Sequence, residues 1–286
     1  MPLTPEENPR NLVITLSCLH RQTLQADQLV IAADGSLPIS LSAIIENCKL
    51  NYVLYQQQQN QGIGAILASA APLCTGEYIV RIDSDDLYAP EHTSGLVNIL
   101  HSHADLGVIG CQLVEIDMDN SAKISARRTP VDADEARRWL PWRNPLNHQT
   151  VAIRKTALLE AGGYRDVPGF EDWDLWLRIA SLGYAIGSLP HSTAAARVDR
   201  RHRLRRRGIR YIHKEFQFYR RQVVEGRITL GMALIACCGR LPWRVAPSPI
   251  LKWWMQSSLR GSPPIYPAWV SKLLSESAWQ PTGRNQ

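Results

Sequence analysis

Three carboxylates crowd into four positions at Asp83-Ser84-Asp85-Asp86. Packed together they repel one another unless a cation neutralises them. Their oxygens are hard donors that suit Mg²⁺ or Mn²⁺, ions that keep open positions for phosphate oxygens. The preceding segment, Glu77 to Ile82, reads as a parallel strand, and the C-terminal ends of such strands are where open α/β sheets bind ligands. A solvated acidic turn before a helix is the plainer reading of the same residues. Another carboxylate, Asp34, opens Asp34-Gly35-Ser36 after the apolar run Gln28 to Ala33. It is an ordinary turn residue, or an acceptor for a base or ribose N–H or O–H, with Gly35 permitting close backbone approach. Phe170-Glu171-Asp172-Trp173-Asp174-Leu175-Trp176 sets three acids between aromatic rings. Its acids cap the following helix, or one serves as a general base toward a hydroxyl beside a ring-stacking surface.

These residues need a scaffold. Up to about residue 195, short apolar strands alternate with helical patterns, the rhythm of a sheet flanked by helices. Helical spacing is expected over Asn11 to Arg21 and at Ile63, Ile66, Leu67 and Ala70. A helix starts at Pro90-Glu91. Leu106 to Cys111 and Val151 to Arg154 read as strands. Gly162-Gly163 stops one helix, and another runs from Asp172 to Gly183. Gln56 to Gln59 reads as an exposed loop edge. Only Met1-Pro2-Leu3 precedes the first helix, so the chain is expected to begin inside a truncated first strand. After about residue 195 the character changes: Arg197 to Arg210 holds eight arginines, and from Tyr211 onward the pattern is helical, basic and tryptophan-bearing. Pro281 to Gln286 is expected to be disordered.

The 286 residues suffice for one large domain, or a domain plus an extension. The boundaries read as a catalytic domain over 1–210 and an amphipathic helical extension over 211–286. A net charge of +6 points to anionic partners. The six cysteines form no C-x-x-C pair, so buried reduced thiols are expected and a zinc site is not. No signal peptide opens the chain. The apolar stretch Ile228–Cys238 is about half a membrane span, and the compartment reads as cytoplasmic. The arginine cluster is a solvated face or a pyrophosphate site; no base-reading motif accompanies it, so nucleic acid is not expected. Leu230 to Trp254 interleaves Trp243, Trp253 and Trp254 with Arg240, Arg244 and Lys252. It is a helix packed on the catalytic domain or a membrane-interface segment.

An ordered set of motifs carries a resemblance. Leu16-Ser17-Cys18-Leu19 through Gln22-Thr23 to Ala33-Asp34-Gly35-Ser36, Asn60-Gln61-Gly62-Ile63-Gly64 with Gly76-Glu77-Tyr78-Ile79, Arg81 to Pro90, and Arg143-Asn144-Pro145-Leu146-Asn147-His148 with Gly162-Gly163-Tyr164 and Phe170 to Arg178 resemble glycosyltransferase family 2, the inverting GT-A type. Within it they resemble bacterial exopolysaccharide transferases of the amylovoran-biosynthesis kind. The likeness spans roughly residues 1 to 210.

The resemblance implies a GT-A fold, with a Rossmann-like nucleotide-binding sheet and the basic helical extension appended. It implies inverting transfer of a sugar from a UDP-, GDP- or dTDP-linked donor to a hydroxyl of a saccharide acceptor, in exopolysaccharide or cell-surface glycan assembly. The acceptor would be polyprenyl-diphosphate linked, at the inner face of the cytoplasmic membrane. Asp172 would be the catalytic base. Asp34, Asp83 and Arg81 would bind the donor. Asp85, with Asp83, would ligate Mn²⁺ or Mg²⁺. Glu171, Trp173, Asn147, His148 and Arg197 would face acceptor or phosphate. The chain departs from the family pattern at Ala33, where the first acid of "DDGS" would stand, at Ala68, and at Arg197-Val198-Asp199, where a metal-binding histidine is usual. Asp199 and His202 are the candidates for that ligand. These departures keep a sugar-binding relative without turnover as an alternative. A sugar nucleotidyltransferase fits less well, because no glycine-rich phosphate loop opens the chain.

Overall fold

The computed structural model describes residues 1–118, 124–198, 208–245 and 268–270. His202, Asp199, Trp253, Trp254, most of the arginine cluster and the C-terminal tail lie outside them.

Strands β1 (Pro2–Leu3), β2 (Leu29–Asp34) and β3 (Tyr52–Gln57) form a parallel three-stranded sheet with β2 at its centre. The sequence explains the order. β2 is Leu-Val-Ile-Ala-Ala-Asp and buries both faces, one under α1 (Pro9–His20) and α2 (Ile39–Glu46), the other under α3 (Ile63–Ala70). Such an unbroken apolar run suits a strand covered on both sides. β3 is half-exposed, and it takes in Gln56 and Gln57, where an exposed loop edge is expected from the glutamine run. An edge strand tolerates polar side chains that a central strand would not. α1 begins where Asn8 Oδ1 accepts from the Arg10 N–H, with Pro9 in the first turn.

The second sheet has the order β4 (Tyr78–Val80), β8 (Ala152–Arg154), β6 (Leu106–Asp117), β9 (Ala185–Val198), β5 (Leu87–Tyr88), with β7 (Ile124–Arg127) also on β6. One expectation is corrected here. β4, which runs into the acidic cluster, pairs antiparallel with β8, not parallel with a neighbour. Its three residues find their partner in a strand that follows them by more than seventy positions, which no local pattern reveals. β6 and β9 are long, largely buried and parallel, with β9 exposed at Pro190 and His191. β9 reaches Arg197, so this arginine belongs to the sheet and not to the basic tail.

Helices α4 (His92–Ser102), α5 (Ala133–Trp139), α6 (Lys155–Glu160) and α7 (Glu171–Ser181) surround this sheet. α8 (Ile209–Val224) and α9 (Leu230–Val245) follow β9. They share one apolar core with α7: Phe218, Tyr219, Ala233 and Ala236 pack with Phe170, Trp173 and Trp176. A buried polar link joins them too. Gln222 Nε2 donates to Asp174 Oδ1 at 2.7 Å, and Arg178 Nε donates to Asp174 Oδ2 at 2.8 Å. None of the six cysteines is joined in a disulfide; Cys18 and Cys111 are buried and Cys238 is exposed.

Candidate active site

The loop from β4 to β5 carries the acidic cluster. Ligating oxygens of Asp83, Asp85 and Asp86 lie within 4.8 Å of one another, the one such group among the described residues. The loop is fixed from below. Thr15 Oγ1, on α1, donates to the carbonyls of Ser84 and Asp86 at 2.9 and 2.8 Å. The Asp83 N–H donates to the Tyr88 hydroxyl at 2.8 Å, and that hydroxyl donates to the Gln149 carbonyl. Ser84 Oγ donates to Glu7 Oε2, which brings a fourth carboxylate nearby.

Charge is crowded here. Burial, then the charges of Asp83 and Glu7, push the Asp85 carboxyl up to about 7, against a pull from Arg197. Burial, then the charges of Asp85 and Asp83, push Asp86 up as well. Arg197 reaches in from β9, donates to the Asp85 carbonyl and is 6% exposed. Two guanidinium groups, Arg197 and Arg81, stand among the four carboxylates of Asp83, Asp85, Asp86 and Glu7, which leaves an excess of negative charge when all four are ionised. The donor set is all hard oxygen, so it fits a divalent cation such as Mg²⁺ or Mn²⁺.

Arg81 connects this loop to the rest of the cleft. Its buried guanidinium pairs with Asp83 Oδ1 at 2.5 Å, and its charge is felt by Glu171, Tyr164 and His148. Those three belong to the other half. At the start of α7, Asp172 Oδ2 accepts from Asn144 Nδ2 at 2.6 Å and Oδ1 from the Trp173 N–H at 2.7 Å. Phe170, not an acid, occupies the cap position of this helix. Glu171 is buried, and Oε2 accepts from the Gly169 N–H. Burial, then the Asp172 charge, push its carboxyl up to about 7.

That shift makes a prediction. A carboxyl whose folded pKa lies above its unfolded value carries no penalty below the unfolded value near 4.5; the penalty grows as pH rises toward about 7. Wild type should therefore lose about 2–3 kcal/mol of stability between pH 5 and pH 8 that Glu171→Gln does not lose. Urea unfolding of both proteins across this range measures it. Parallel curves would remove the buried-proton account.

The remaining sequence candidates fall in different places. Asp34 ends β2, and its two oxygens accept from the Gln61 and Gly62 N–H groups at 2.8 and 2.9 Å. It thereby ties the loop before α3 to the sheet edge. Asn147 is buried under Cys111 and Arg127, donating to both carbonyls, a structural place. His148 bonds the Tyr164 hydroxyl at 2.9 Å and meets the edge of Trp176. Burial and the Arg81 charge hold its pKa well below the usual histidine value, so its ring is neutral and offers a phosphate no charge. Trp173 is 4% exposed, its Nε1 donates to the Leu140 carbonyl, and protein packs its faces. It lies in the core and offers no ring surface to a sugar, because α8 and α9 cover it. Thr15, Tyr88, Tyr164 and the Asn144 bond to Asp172 went unread. Asn144, Tyr164 and Tyr88 stand within resembling motifs, but Thr15 carries no local signal.

The description Glycosyl transferase family 2 matches residues 4–163. The chain belongs to this family. It is a glycosyltransferase, and the motif resemblance is borne out. It is 33% identical over 75% of its length, and 81% of the relative's, to the amylovoran biosynthesis glycosyltransferase AmsE of Erwinia amylovora. It is 24% identical, over 77% of the chain and 82% of the relative, to a UDP-Gal:alpha-D-GlcNAc-diphosphoundecaprenol beta-1,3-galactosyltransferase of Escherichia coli. The mannosyltransferase PcManGT from Pyrobaculum calidifontis, solved with GDP-Man and Mn²⁺, superposes with a TM-score of 0.60 at 18% identity, covering 97% of this chain and 79% of that one. The fold of the glycosyltransferase is therefore GT-A, as expected. None of its described helices is long and apolar enough to cross a membrane.

Proposed function

We propose that this glycosyltransferase moves a sugar, with inversion, from a nucleoside-diphosphate donor to a hydroxyl of a lipid-linked saccharide in polysaccharide assembly. One observation carries the reading: Arg81 lies between the acidic loop and the Glu171-Asp172 turn, pairing with Asp83 while its charge reaches Glu171. A donor diphosphate and an acceptor hydroxyl would meet across that guanidinium.

Asp85 and Asp83 would hold Mn²⁺ or Mg²⁺. The bound cation would supply charge neutralisation for the departing diphosphate. Arg81 adds positive charge on the same side. Asp34 shapes the nucleotide end of the cleft through the Gln61-Gly62 loop. Asp172 takes the proton of the attacking hydroxyl, and Asn144 aims its carboxylate. The hydroxyl oxygen bonds to the anomeric carbon as the bond to the diphosphate oxygen breaks. A single displacement by the acceptor inverts the configuration, and no enzyme nucleophile is required. Residues 1–210 would form the catalytic unit, with 211–286 appended at the inner face of the cytoplasmic membrane. The lipid carrier is proposed from the Escherichia coli relative, whose named acceptor is a diphosphoundecaprenol.

The test is nucleoside-diphosphate release from a panel of UDP-, GDP- and dTDP-sugars with Mn²⁺ and a polyprenyl-diphosphate sugar acceptor. One donor should turn over, and NMR of the product should show the inverted anomer. Donor binding without turnover on any acceptor, or retained configuration, would overturn it.

A further inference from the structure

α8 and α9 press one side into the core that holds Trp173, and their other sides face solvent. The composition of the outward side is one-sided. α8 exposes Arg210, His213, Lys214, Arg220 and Arg221. Across both helices the one carboxylate is Glu215, and it is buried against Arg240 and Arg244. The outward side of the two helices therefore carries cations in excess: Asp166 stands beside Lys214 and Arg221, and Glu225, just past α8, is engaged by Arg165 and Arg227. Between and beside the cations stand large apolar side chains: Ile209 at 81% exposure, Phe216 at 56% and Val224 at 73% on α8, and Leu230 at 63%, Leu234 at 55% and Ile235 at 65% on α9. α9 is thus apolar on two sides, Ala233 and Ala236 inward and Leu230, Leu234 and Leu241 outward. A solvated face would carry both signs of charge and few such side chains. Cations interleaved with apolar groups match an anionic lipid surface, whose phosphates meet the charges while the acyl boundary takes the leucines.

The placement adds to this. Tyr211, in the first turn of α8, packs on Phe170 with ring centroids 5.4 Å apart, and Phe170 adjoins Glu171 and Asp172. The start of α8 therefore borders the turn that would receive the acceptor.

We propose that the outward face of α8 and α9 docks on an anionic phospholipid bilayer and holds the Asp172 end of the cleft close to it. Docking rests on the lipid-linked acceptor for its purpose, and vesicle binding is measured without any acceptor. The full chain is sedimented with phosphatidylcholine vesicles and with vesicles also containing phosphatidylglycerol. Binding should need phosphatidylglycerol and weaken as salt rises. Each surface cation contributes about fivefold to such binding, so Lys214→Ala with Arg221→Ala should weaken it about 25-fold. Leu234→Ser with Ile235→Ser should also weaken it. Thermal unfolding checks that each variant folds, and donor hydrolysis in solution should be unchanged. Equal binding of folded variants and wild type, or no preference for phosphatidylglycerol, overturns the proposal. So does a wild-type dimer by light scattering that the Leu234-Ile235 variant turns monomeric, for then a second copy covers the face. Donor binding without transfer to any acceptor, with intact vesicle binding, would sink the proposed reaction and leave the docking surface standing.

Discussion

Asp172→Asn is expected to lower kcat by about 10²- to 10⁴-fold, the usual contribution of a positioned general base. Donor affinity should stay within about twofold, because Asp172 stands at the head of α7, bonded to Asn144 in the acceptor half of the cleft. Asparagine can still accept from Asn144 through its amide oxygen, so the fold should survive. The substitution has a second consequence. The Asp172 charge helps push Glu171 up to about 7, so removing it should lower the Glu171 pKa. The pH-dependent loss of stability should then shrink and move to lower pH. Transfer rates by product formation, donor affinity by calorimetry and urea unfolding at several pH values make the three measurements. A fall in donor affinity matching the fall in rate would count against a base and favour a binding role.

Asp85→Asn should cost about 10³-fold in turnover, equivalent to about 4 kcal/mol of lost stabilisation of the leaving diphosphate. Raising the metal concentration should recover part of the rate if the ligand is weakened and not erased. The metal-free protein should respond in the opposite direction. Burial and the charges of Asp83 and Glu7 crowd the Asp85 carboxylate, and asparagine removes that repulsion. Asp85→Asn should therefore be more stable than wild type without metal at pH 8. Added Mn²⁺ should stabilise wild type and leave the variant nearly unmoved. Manganese titrations followed by thermal unfolding give both signs. Equal stabilisation of the two proteins would remove Asp85 from the ligand set. Because the two variants lie in opposite halves of the cleft, their effects on metal response and on pH response should separate.

Much of this was legible in the sequence, because its signals are local. A carboxylate cluster after an apolar run is seen in a few residues. The apolar run of β2 follows from cover on both its faces, and α3 shows helical spacing because one side of it is buried. The ordered motifs named the family, and the family match bears that out.

Other features depended on which segments meet. β4 is three residues long, and only its partner β8 sets its direction. Arg197 reads as the head of an arginine run, yet the parallel pairing of β9 with β6 carries it to the acidic loop. Trp173 reads as a sugar platform, and α8 and α9 turn it into core by covering its faces. His148 is expected to face acceptor or phosphate, and burial beside Arg81 keeps its ring neutral. Thr15 fixes the acidic loop from about seventy residues away, and Tyr88, which accepts from Asp83 five residues earlier, is itself anchored on Gln149, so the sequence around Thr15 says nothing of the loop. The sequence by itself determined which groups carry charge and which segments form strands and helices, since both follow from side-chain chemistry and short-range periodicity. The tertiary structure decided which charges share a cleft, which are desolvated and which rings remain open to a ligand, since burial and Coulomb energy depend on distance in space.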